Sequence, residues 1–359
     1  MRQSAWRVCG IDRRMVLPRR SKFGASAAAI AALFALLAHG TAARAQEAPR
    51  NITLLIGFAA GGGYDTFGRL IARHWGRHLP GNPTVVPQNM PGGGSLVVAN
   101  LIYNVAPRDG SQVGLFASSA ALEPVIGNPQ AKFDTASFTW IGNMNKDVSA
   151  CAAWAASGIR SWDDAVKRGA RFGGVGLSAP TTQHAAFFKN VLGAPIKIIV
   201  GYGGTNDVNL AMQRGEVDAS CGMFVSSVKG PYARDVETGN LKMIIQLGRD
   251  NHPAFGDAVN IYTLLRTTQE EELADFVFGQ VEIARPIAAP PQTPEPIATA
   301  LRRSFDATMR DPDFLADARR VQLDIAPMTG EETSRAFTRF TAVSKEVAAR
   351  AKAAMTPNP

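Results

Sequence analysis

The sequence has few of the residues from which reactive or metal-binding sites are built. It holds three cysteines and five histidines in 359 residues. No two cysteines have the Cys-x-x-Cys spacing, which argues against a thiolate metal site or a redox motif. His74 and His78 have the i, i+4 spacing of metal ligands on a helix, but Trp75 stands where the zinc motif has glutamate, and no third ligand is evident. We therefore expect neither a metal ion nor a cofactor.

The chain also has little net charge once its N-terminus is set aside. The formal charge of the whole chain is +8, but residues 1–45 contain eight Lys or Arg and one Asp. This leaves a charge of about +1 (8 minus 7) for the 314 residues that follow. A protein that binds nucleic acid needs a basic face on its folded domain, so no nucleic-acid partner is expected.

The N-terminus itself has the pattern of an export signal. A basic segment precedes the apolar run Phe23 to Ala38, which is short for a membrane span and so argues against an anchor. Small residues at Ala43 and Ala45 match the A-x-A pattern of a cleavage site. We predict a signal peptide over residues 1–45, cleaved near Ala45, and a periplasmic mature protein. Translation could start at the first methionine or at Met15.

Beyond this segment, short apolar runs alternate with loops and helical patterns. One series of such units begins with "ITLLIG" at 52–57, and a second begins with "SACAAWAA" at 149–156. Such alternation is typical of parallel sheets covered by helices. Two similar halves without a flexible linker predict two α/β lobes, between which the chain crosses more than once. In the tail, we predict a helix break at Asp311-Pro312 and a last helix from about Gly330 to Ala354.

Two glycine loops each lie between a predicted strand and a predicted helix, "AAGGGYD" at 59–65 and "NMPGGGS" at 89–95. A helix N-terminus offers free backbone amides and a positive dipole end to an anion. A nucleotide site is disfavoured because neither loop has the lysine of a P-loop, and Thr66 stands where the dinucleotide fingerprint needs glycine. One such loop would favour a mere tight turn, whereas two favour a site for a compact anion such as a carboxylate.

A hydrolase motif is incomplete. The stretch "GLSAP" at 176–180 resembles a nucleophile elbow, but Pro180 replaces the final glycine of G-x-S-x-G. His184 lies nearby and could serve as a base, yet a helical histidine is more often structural, and no acidic partner is evident. We predict that the protein is not an enzyme.

Several motifs in succession carry a family resemblance. These are "ITLLIGFAAGGGYDTFGRLIA", "QNMPGGGSLVVANLIYNVAPRDGSQVGLF", "GYGGTNDVNLAMQRGEVDAS", "RPIAAPP" and "FDATMRDPDFLADA". In this order they resemble the substrate-binding proteins of tripartite tricarboxylate transporters, the TctC or Bug family, over essentially the whole mature chain. The resemblance implies a two-lobed periplasmic binding protein of type II topology, in which each lobe is a mostly parallel sheet flanked by helices. It also implies that an organic carboxylate binds in the cleft between the lobes and is delivered to the membrane permease.

The resemblance further implies which residues bind the ligand. Family members hold a ligand carboxylate on the first two glycine loops through backbone amides and ordered waters. Carried over to this sequence, the first lobe supplies Ala60, Gly61, Gly62, Gly63, Tyr64, Asp65, Gly92, Gly93, Gly94, Ser95, Ser118 and Ser119. The second lobe supplies Ser178, Thr181, Thr182, Tyr202, Gly204 and Thr205.

The sequence departs from the family pattern at two of these places. Tyr64 stands where many members have a small hydroxyl residue, and "SAPTT" at 178–182 replaces a glycine–serine loop. The ligand can therefore be an aliphatic di- or tricarboxylate, or an aromatic or longer-chain acid. A ligand-presenting partner of a sensor kinase, or an exported α/β hydrolase, are the alternative functions.

Domain bounds and cysteine pairing follow from the type II topology. We predict lobe 1 over 48–147 plus 250–359, lobe 2 over 148–249, and a monomer. Cys151 and Cys221 both enter an oxidising compartment, and this topology places their predicted strands side by side in lobe 2. A disulfide between them is predicted, with two buried free thiols as the alternative, because a register shift of one residue would turn the side chains to opposite faces.

Overall fold

A computed structural model describes residues 50–357 of the chain. The predicted signal peptide and its cleavage site lie outside these residues. Among the described residues, no helix is both long enough and apolar enough to cross a membrane.

The strands belong to two sheets. They are β1 (Asn51–Ile56), β2 (Thr84–Asn89), β3 (Gln112–Leu115), β4 (Thr139–Asn143), β5 (Ser149–Trp154), β6 (Arg171–Gly174), β7 (Lys197–Val200), β8 (Ala219–Phe224), β9 (Leu241–Gln246), β10 (Val259–Asn260), β11 (Pro286–Ala289) and β12 (Met328–Thr329).

The α-helices cover the faces of these sheets. They are α1 (Gly63–Trp75), α2 (Leu96–Asn104), α3 (Ser118–Leu122), α4 (Trp162–Arg168), α5 (Pro180–Asn190), α6 (Thr205–Gln213), α7 (Val225–Lys229), α8 (Ala233–Glu237), α9 (Thr268–Gly279), α10 (Glu295–Arg310), α11 (Pro312–Arg320), α12 (Gly330–Thr341) and α13 (Lys345–Met355).

The two sheets follow one plan. Their strand orders are β12-β4-β11-β3-β1-β2 and β10-β9-β5-β8-β6-β7. In the first sheet β1 pairs parallel with β2 and β3, and in the second β6 pairs parallel with β7 and β8. In the second sheet β5 is antiparallel to both of its neighbours, and in the first sheet β11 is antiparallel to β3 and β4, while β4 is also antiparallel to β12. The two-lobed α/β fold is confirmed, with sheets that are mixed.

β5 and β11 are the strands by which the chain enters each sheet from the other lobe. Residues 144–148 lead from β4 of the first sheet to β5 of the second, and β11 returns the chain to the first. The crossings lie side by side, since the amide of Met144 donates to the carbonyl of Arg285 and the amide of Ala284 donates to that of Asn145. β10 extends the second sheet to Asn260, beyond the predicted lobe boundary at 249. The exact lobe bounds stay a prediction.

Side-chain caps mark the starts of several helices. Ser161 caps α4 by accepting a hydrogen bond from the amide of Asp164, and Asp311 ends α10 and caps α11 in the same way. The prediction of one last helix over 330–354 is wrong, because the chain breaks between α12 and α13. Ser344 accepts from the amide of Val347 and so starts α13 as a separate helix.

The cysteines lie on the two central strands of the second sheet. β5 and β8 are antiparallel neighbours, as the type II topology predicts, and their register shifts between Ala150 and Ala152. This irregularity places Cys151 against Cys221, and the structure joins the two by a disulfide bond. Both residues are fully buried.

Candidate functional site

The candidate site lies between the two lobes, where the loops that follow β1, β2 and β3 face the loops that follow β6 and β7. The lobes touch directly here. The amide of Ala59 donates to the carbonyl of Gly203 over 3.2 Å, and the Ser119 hydroxyl donates to the carbonyl of Ser178 over 2.7 Å. The Gln183 side chain also donates to Glu123 over 2.7 Å. The cleft is therefore closed in this structure.

A small cavity remains inside the closed cleft. Its volume is about 20 Å³, which is room for about one water molecule. It is lined by Phe58, Gly62, Gly63, Tyr64, Ala179, Pro180, Thr181, Thr205, Gly222, Phe224, Ser227 and Arg285. The cavity thus contains five of the residues predicted from the sequence and several that were not.

The first glycine loop lines this cavity with the N-terminus of α1. Gly62 is the cap residue, and no side chain caps the helix. The first amides of α1 therefore have no partner within the helix and carry its positive dipole end. Gly61 has a φ of +85°, in the left-handed region that favours glycine. The loop thus offers main-chain donors to an anion.

Asp65 braces this loop rather than facing the cavity. Its carboxylate accepts hydrogen bonds from the amide of Gly61 (2.9 Å), the Asn89 side chain (2.8 Å) and Arg69 (2.9 Å). Burial acts to raise the pKa of Asp65, but these hydrogen bonds, Arg69 first among them, outweigh it and hold the pKa below its ordinary value. The predicted residue Ala60 lies within the braced loop.

The second glycine loop packs against the opposite lobe. Gly92, Gly93 and Gly94 all have positive φ, and Ser95 follows with a φ of 77°. The Ser95 hydroxyl accepts from the amide of Ala117 over 2.9 Å, which ties this loop to the loop that carries Ser118 and Ser119.

Gly94 makes the closest approach. A Cβ atom there would lie 2.4 Å from the amide nitrogen of Ala179, and one at Gly176 would lie 2.3 Å from the amide nitrogen of Gly94. These two glycines face each other across the cleft, and only main chain fits between the lobes at this point. None of the three loop glycines lines the cavity.

The predicted hydroxyl residues of the second lobe have different surroundings. The Thr181 hydroxyl lines the cavity and accepts from the amide of Val175 over 3.0 Å. The Thr182 hydroxyl is buried and has no partner in the structure, and it lies close to Gly174 of β6. Ser178 contributes its carbonyl to the contact with Ser119.

The loop after β7 closes over the first glycine loop. A Cβ atom at Gly62 would lie 2.9 Å from the Thr205 hydroxyl, and one at Gly204 would lie 3.3 Å from the Cβ of Ala59. Tyr202 is half-buried and does not line the cavity. Burial, and after it the negative charge of Glu216, raise the pKa of the Tyr202 hydroxyl.

The sequence reasoning missed Arg285, which is fully buried at the cavity wall. Its guanidinium lies over the rings of Tyr64 and Phe224, 4.4 and 4.5 Å from their centroids. Tyr64 in turn stacks on Phe58 at 4.4 Å, so both faces of its ring are covered. The sequence does contain a sign of this buried cation, because Arg285 is the single charged residue in the apolar stretch 283–289.

The side chains of this cleft give little support for catalysis on a ligand. Burial lowers the pKa of His184 to about 3, and its ring lies 5.1 Å from that of Phe278, so it is a neutral core residue rather than a base. No group of three His, Cys, Asp or Glu side chains within residues 50–357 could hold a metal ion. The site has the features of a binding cleft built from main-chain amides, hydroxyls and one arginine.

Known structures share this architecture. The chain is similar to the periplasmic binding protein BugD, with a TM-score of 0.67 and 18% identity over 84% of this chain and 97% of the other. It is similar to MatC from Rhodopseudomonas palustris with bound malate, with a TM-score of 0.65 and 15% identity over 83% and 98% of the two chains. It is also similar to R. palustris Rpa4515 with adipate, with a TM-score of 0.64 and 16% identity over 84% and 98%. No curated protein matches the sequence.

The fold and the cleft define a two-lobed periplasmic binding protein. The family model of the tripartite tricarboxylate transporter family receptor, TctC, matches residues 69–349. The chain therefore belongs to this family. Its members are solute-binding receptors that take up small carboxylates and work with a membrane transporter, and they are not enzymes.

Proposed function

We propose that this chain is an exported receptor that captures an organic carboxylate between its lobes and delivers it to a tripartite tricarboxylate-type membrane permease. The observation that carries the proposal is the uncapped N-terminus of α1, which opens into the cavity between the lobes. Free amides and a helix dipole stabilise an anion without a formal charge. The proteins in the similar structures hold malate and adipate, which are both carboxylates.

The ligand would enter when the lobes part. A cavity of about 20 Å³ is far too small for an acid of four to six carbons. Because both lobes line the cavity, a ligand held there would contact both and would favour the closed state by its differential affinity. The proposed site comprises the residues named from the family resemblance, with main-chain groups as the principal donors.

A ligand screen tests this proposal. The mature chain would be purified without bound solute and its melting temperature measured with mono-, di- and tricarboxylates, aromatic acids included. A ligand present at 100 times its Kd stabilises the native state by about 2.7 kcal/mol, so a cognate acid should raise the melting temperature by several degrees. The matching amides serve as controls, and equal shifts with acids and amides would contradict a carboxylate receptor.

The proposal also covers the export of the chain, its assembly state and its membrane partner. We expect signal-peptide removal near Ala45, a periplasmic monomer, and contact with the permease subunits of the transporter. Mass spectrometry of the periplasmic protein checks the cleavage site, and sedimentation checks the monomer. Uptake of the bound acid in cells with and without the gene distinguishes transport from ligand presentation to a sensor kinase.

A further inference from the structure

Arg285 is a buried cation held in a fixed position. Its exposure is 0%, and its guanidinium lies over three aromatic rings, with centroid distances of 4.4 Å to Tyr64, 4.9 Å to Phe67 and 4.5 Å to Phe224. Cation–π contacts offset part of the cost of burial. Tyr64 and Phe67 belong to the first lobe and Phe224 to the second, so the side chain touches both lobes at their junction.

The hydrogen bonds of Arg285 leave the guanidinium incompletely paired. One terminal nitrogen donates to the carbonyl of Ala284 over 2.8 Å, and the other makes a long contact of 3.4 Å with the Ser226 hydroxyl. The Nε atom is buried and has no hydrogen-bond partner among residues 50–357. Guanidinium has five N–H donors. Burial raises the pKa of the Tyr64 hydroxyl, and the charge of Arg285 and a hydrogen bond from it act in the opposite direction, so the Nε–H is the donor that is left unused.

Asp147, the acidic residue near Arg285, already accepts hydrogen bonds from other groups. Asp147 accepts from the amides of Val148 and Val225 over 2.8 and 2.9 Å and from the Ser226 hydroxyl over 2.6 Å. Asp147 forms no direct ion pair with Arg285 among the described residues, but both contact the Ser226 hydroxyl. Burial raises the pKa of Asp147, and the charge of Arg285 acts in the opposite direction. A buried guanidinium that no carboxylate contacts directly is costly, and a bound anion would reduce that cost.

The unpaired guanidinium lies at the first glycine loop. A Cβ atom at Gly63 would be 3.1 Å from a terminal nitrogen of Arg285 and 3.1 Å from the Ser227 hydroxyl. The guanidinium and the hydroxyl therefore lie close to the start of α1, and Gly63, Ser227 and Arg285 are all among the residues that line the cavity. The planar fork of arginine matches a carboxylate in a bidentate manner.

We propose that Arg285 is a direct ligand-binding residue, which pairs with the carboxylate at the first glycine loop and makes that end of the cleft select ionised acids. This inference rests on the proposed function and adds a formal charge to a site otherwise built from main-chain donors. Ser227 supplies a further hydrogen bond to the same carboxylate. Because Arg285 touches both lobes, a carboxylate bound to it also stabilises their closed arrangement.

Arg285→Met and Arg285→Lys test the inference, with Arg302→Met as the matched control. Arg302 also donates to a carbonyl, that of Trp140, but it does not line the cavity. Melting temperatures would be measured in sodium chloride alone and with formate, malate or adipate at equal ionic strength. Formate is the smallest carboxylate and requires the least opening of the closed cleft, so this arm needs no knowledge of the cognate acid.

The expected results distinguish a role of Arg285 in ligand binding from a role in packing alone. Arg285→Met should melt somewhat below the wild type without ligand, because it loses the cation–π contacts and the positive charge near buried Asp147. Binding is therefore judged from the shift that each ligand causes within each protein. Formate at 100 mM should raise the wild-type melting temperature by about 2–4 °C and that of Arg285→Met by less than half as much. Calorimetry with the strongest acid should show binding weakened about 30-fold or more, with Arg285→Lys in between and Arg302→Met unchanged.

Two outcomes would overturn the inference. One is equal shifts by formate and by the acids in wild type and Arg285→Met. The other is a lower melting temperature of ligand-free Arg285→Met with unchanged affinity, which identifies Arg285 as a packing residue. If no larger acid binds the wild type while formate still distinguishes the variants, the proposed receptor function fails and the assignment of Arg285 stands.

Discussion

The two lobes present different surfaces to the cleft. The first lobe offers two glycine loops at helix N-termini, whereas the second offers hydroxyl residues and main chain on loops beyond a sheet whose central strands are joined by a disulfide. The side that would hold the anion consists mainly of backbone. The side that closes over it consists of small residues on a cross-linked frame. In this cleft, the main-chain hydrogen-bond donors therefore lie mainly on the first lobe, and the cross-linked sheet lies in the second.

The two glycine loops also differ, although their sequences are similar. The first opens into the cavity and is braced by Asp65. The second meets the main chain of the opposite lobe at Gly94 and has no surface in the cavity. Each glycine run has a steric reason, but the first permits approach of a ligand and the second permits approach of the other lobe.

The largest effect should come from the disulfide of the second lobe. The bond closes a loop of 70 residues, so chain-entropy reasoning gives it about 3–5 kcal/mol of stability. Reduction of the wild type, or the double change Cys151→Ala and Cys221→Ala, should lower the free energy of unfolding by that amount. Denaturant titration measures it. Two free thiols per chain in the denatured, unreduced periplasmic protein would contradict the bond.

Next in size is the effect of a side chain in the first glycine loop. Gly62→Val should weaken carboxylate binding about 100-fold, or about 2.7 kcal/mol, because its Cβ would meet the Thr205 hydroxyl at 2.9 Å. Gly93→Val should also weaken binding, since φ at Gly93 is +59°. Calorimetry checks both variants, with Gly62→Ala as a graded control. Wild-type affinity in both valine variants would remove the first two loops from the site.

A smaller effect should follow from a methyl group between the lobes. Gly176→Ala needs no strained backbone, but its Cβ would meet the amide nitrogen of Gly94 at 2.3 Å. It should hold the cleft partly open and weaken binding about 10-fold, which corresponds to about 1.4 kcal/mol. Small-angle scattering should show the radius of gyration falling with ligand in the wild type but not in this variant.

Gly279→Ala is the control for this scattering experiment. Its Cβ would make an ordinary 3.5 Å contact with Phe340. A normal ligand-induced decrease in Gly176→Ala would show that the two facing glycines do not control closure.

The smallest effect concerns the brace of the first loop. Asp65→Asn should cost about 1 kcal/mol of stability, a modest figure because Arg69 is about half exposed to solvent. Since hydrogen bonds hold the pKa of Asp65 below its ordinary value, its contribution is complete above about pH 4 and is lost as the pH falls through the lower, folded value. Stability measured from pH 6 to pH 2 should fall less steeply in Asp65→Asn. Identical slopes would show that the brace is not coupled to protonation.

Local patterns in the sequence predicted the elements that carry the site. The first strand, to within one residue, and the position of both glycine loops between a strand and a helix were predicted as observed, because apolar periodicity and helix starts are encoded within a few residues. Asp311 marked a true helix break for the same reason. The two lobes were predicted from the repeated alternation in the two halves of the chain, and the family resemblance added the type II topology and the ligand cleft between the lobes.

The sequence by itself therefore determined where strands, helices and glycine loops begin, since these depend on steric preferences of neighbouring residues. The tertiary structure decided which loop lines the cavity, which strands of each sheet run antiparallel, and that Arg285 is buried among aromatic rings of both lobes. It also decided that Tyr64 stacks on Phe58 instead of presenting a free aromatic face. These features depend on contacts between residues far apart in the chain, because a charge can be buried only where distant side chains together surround it.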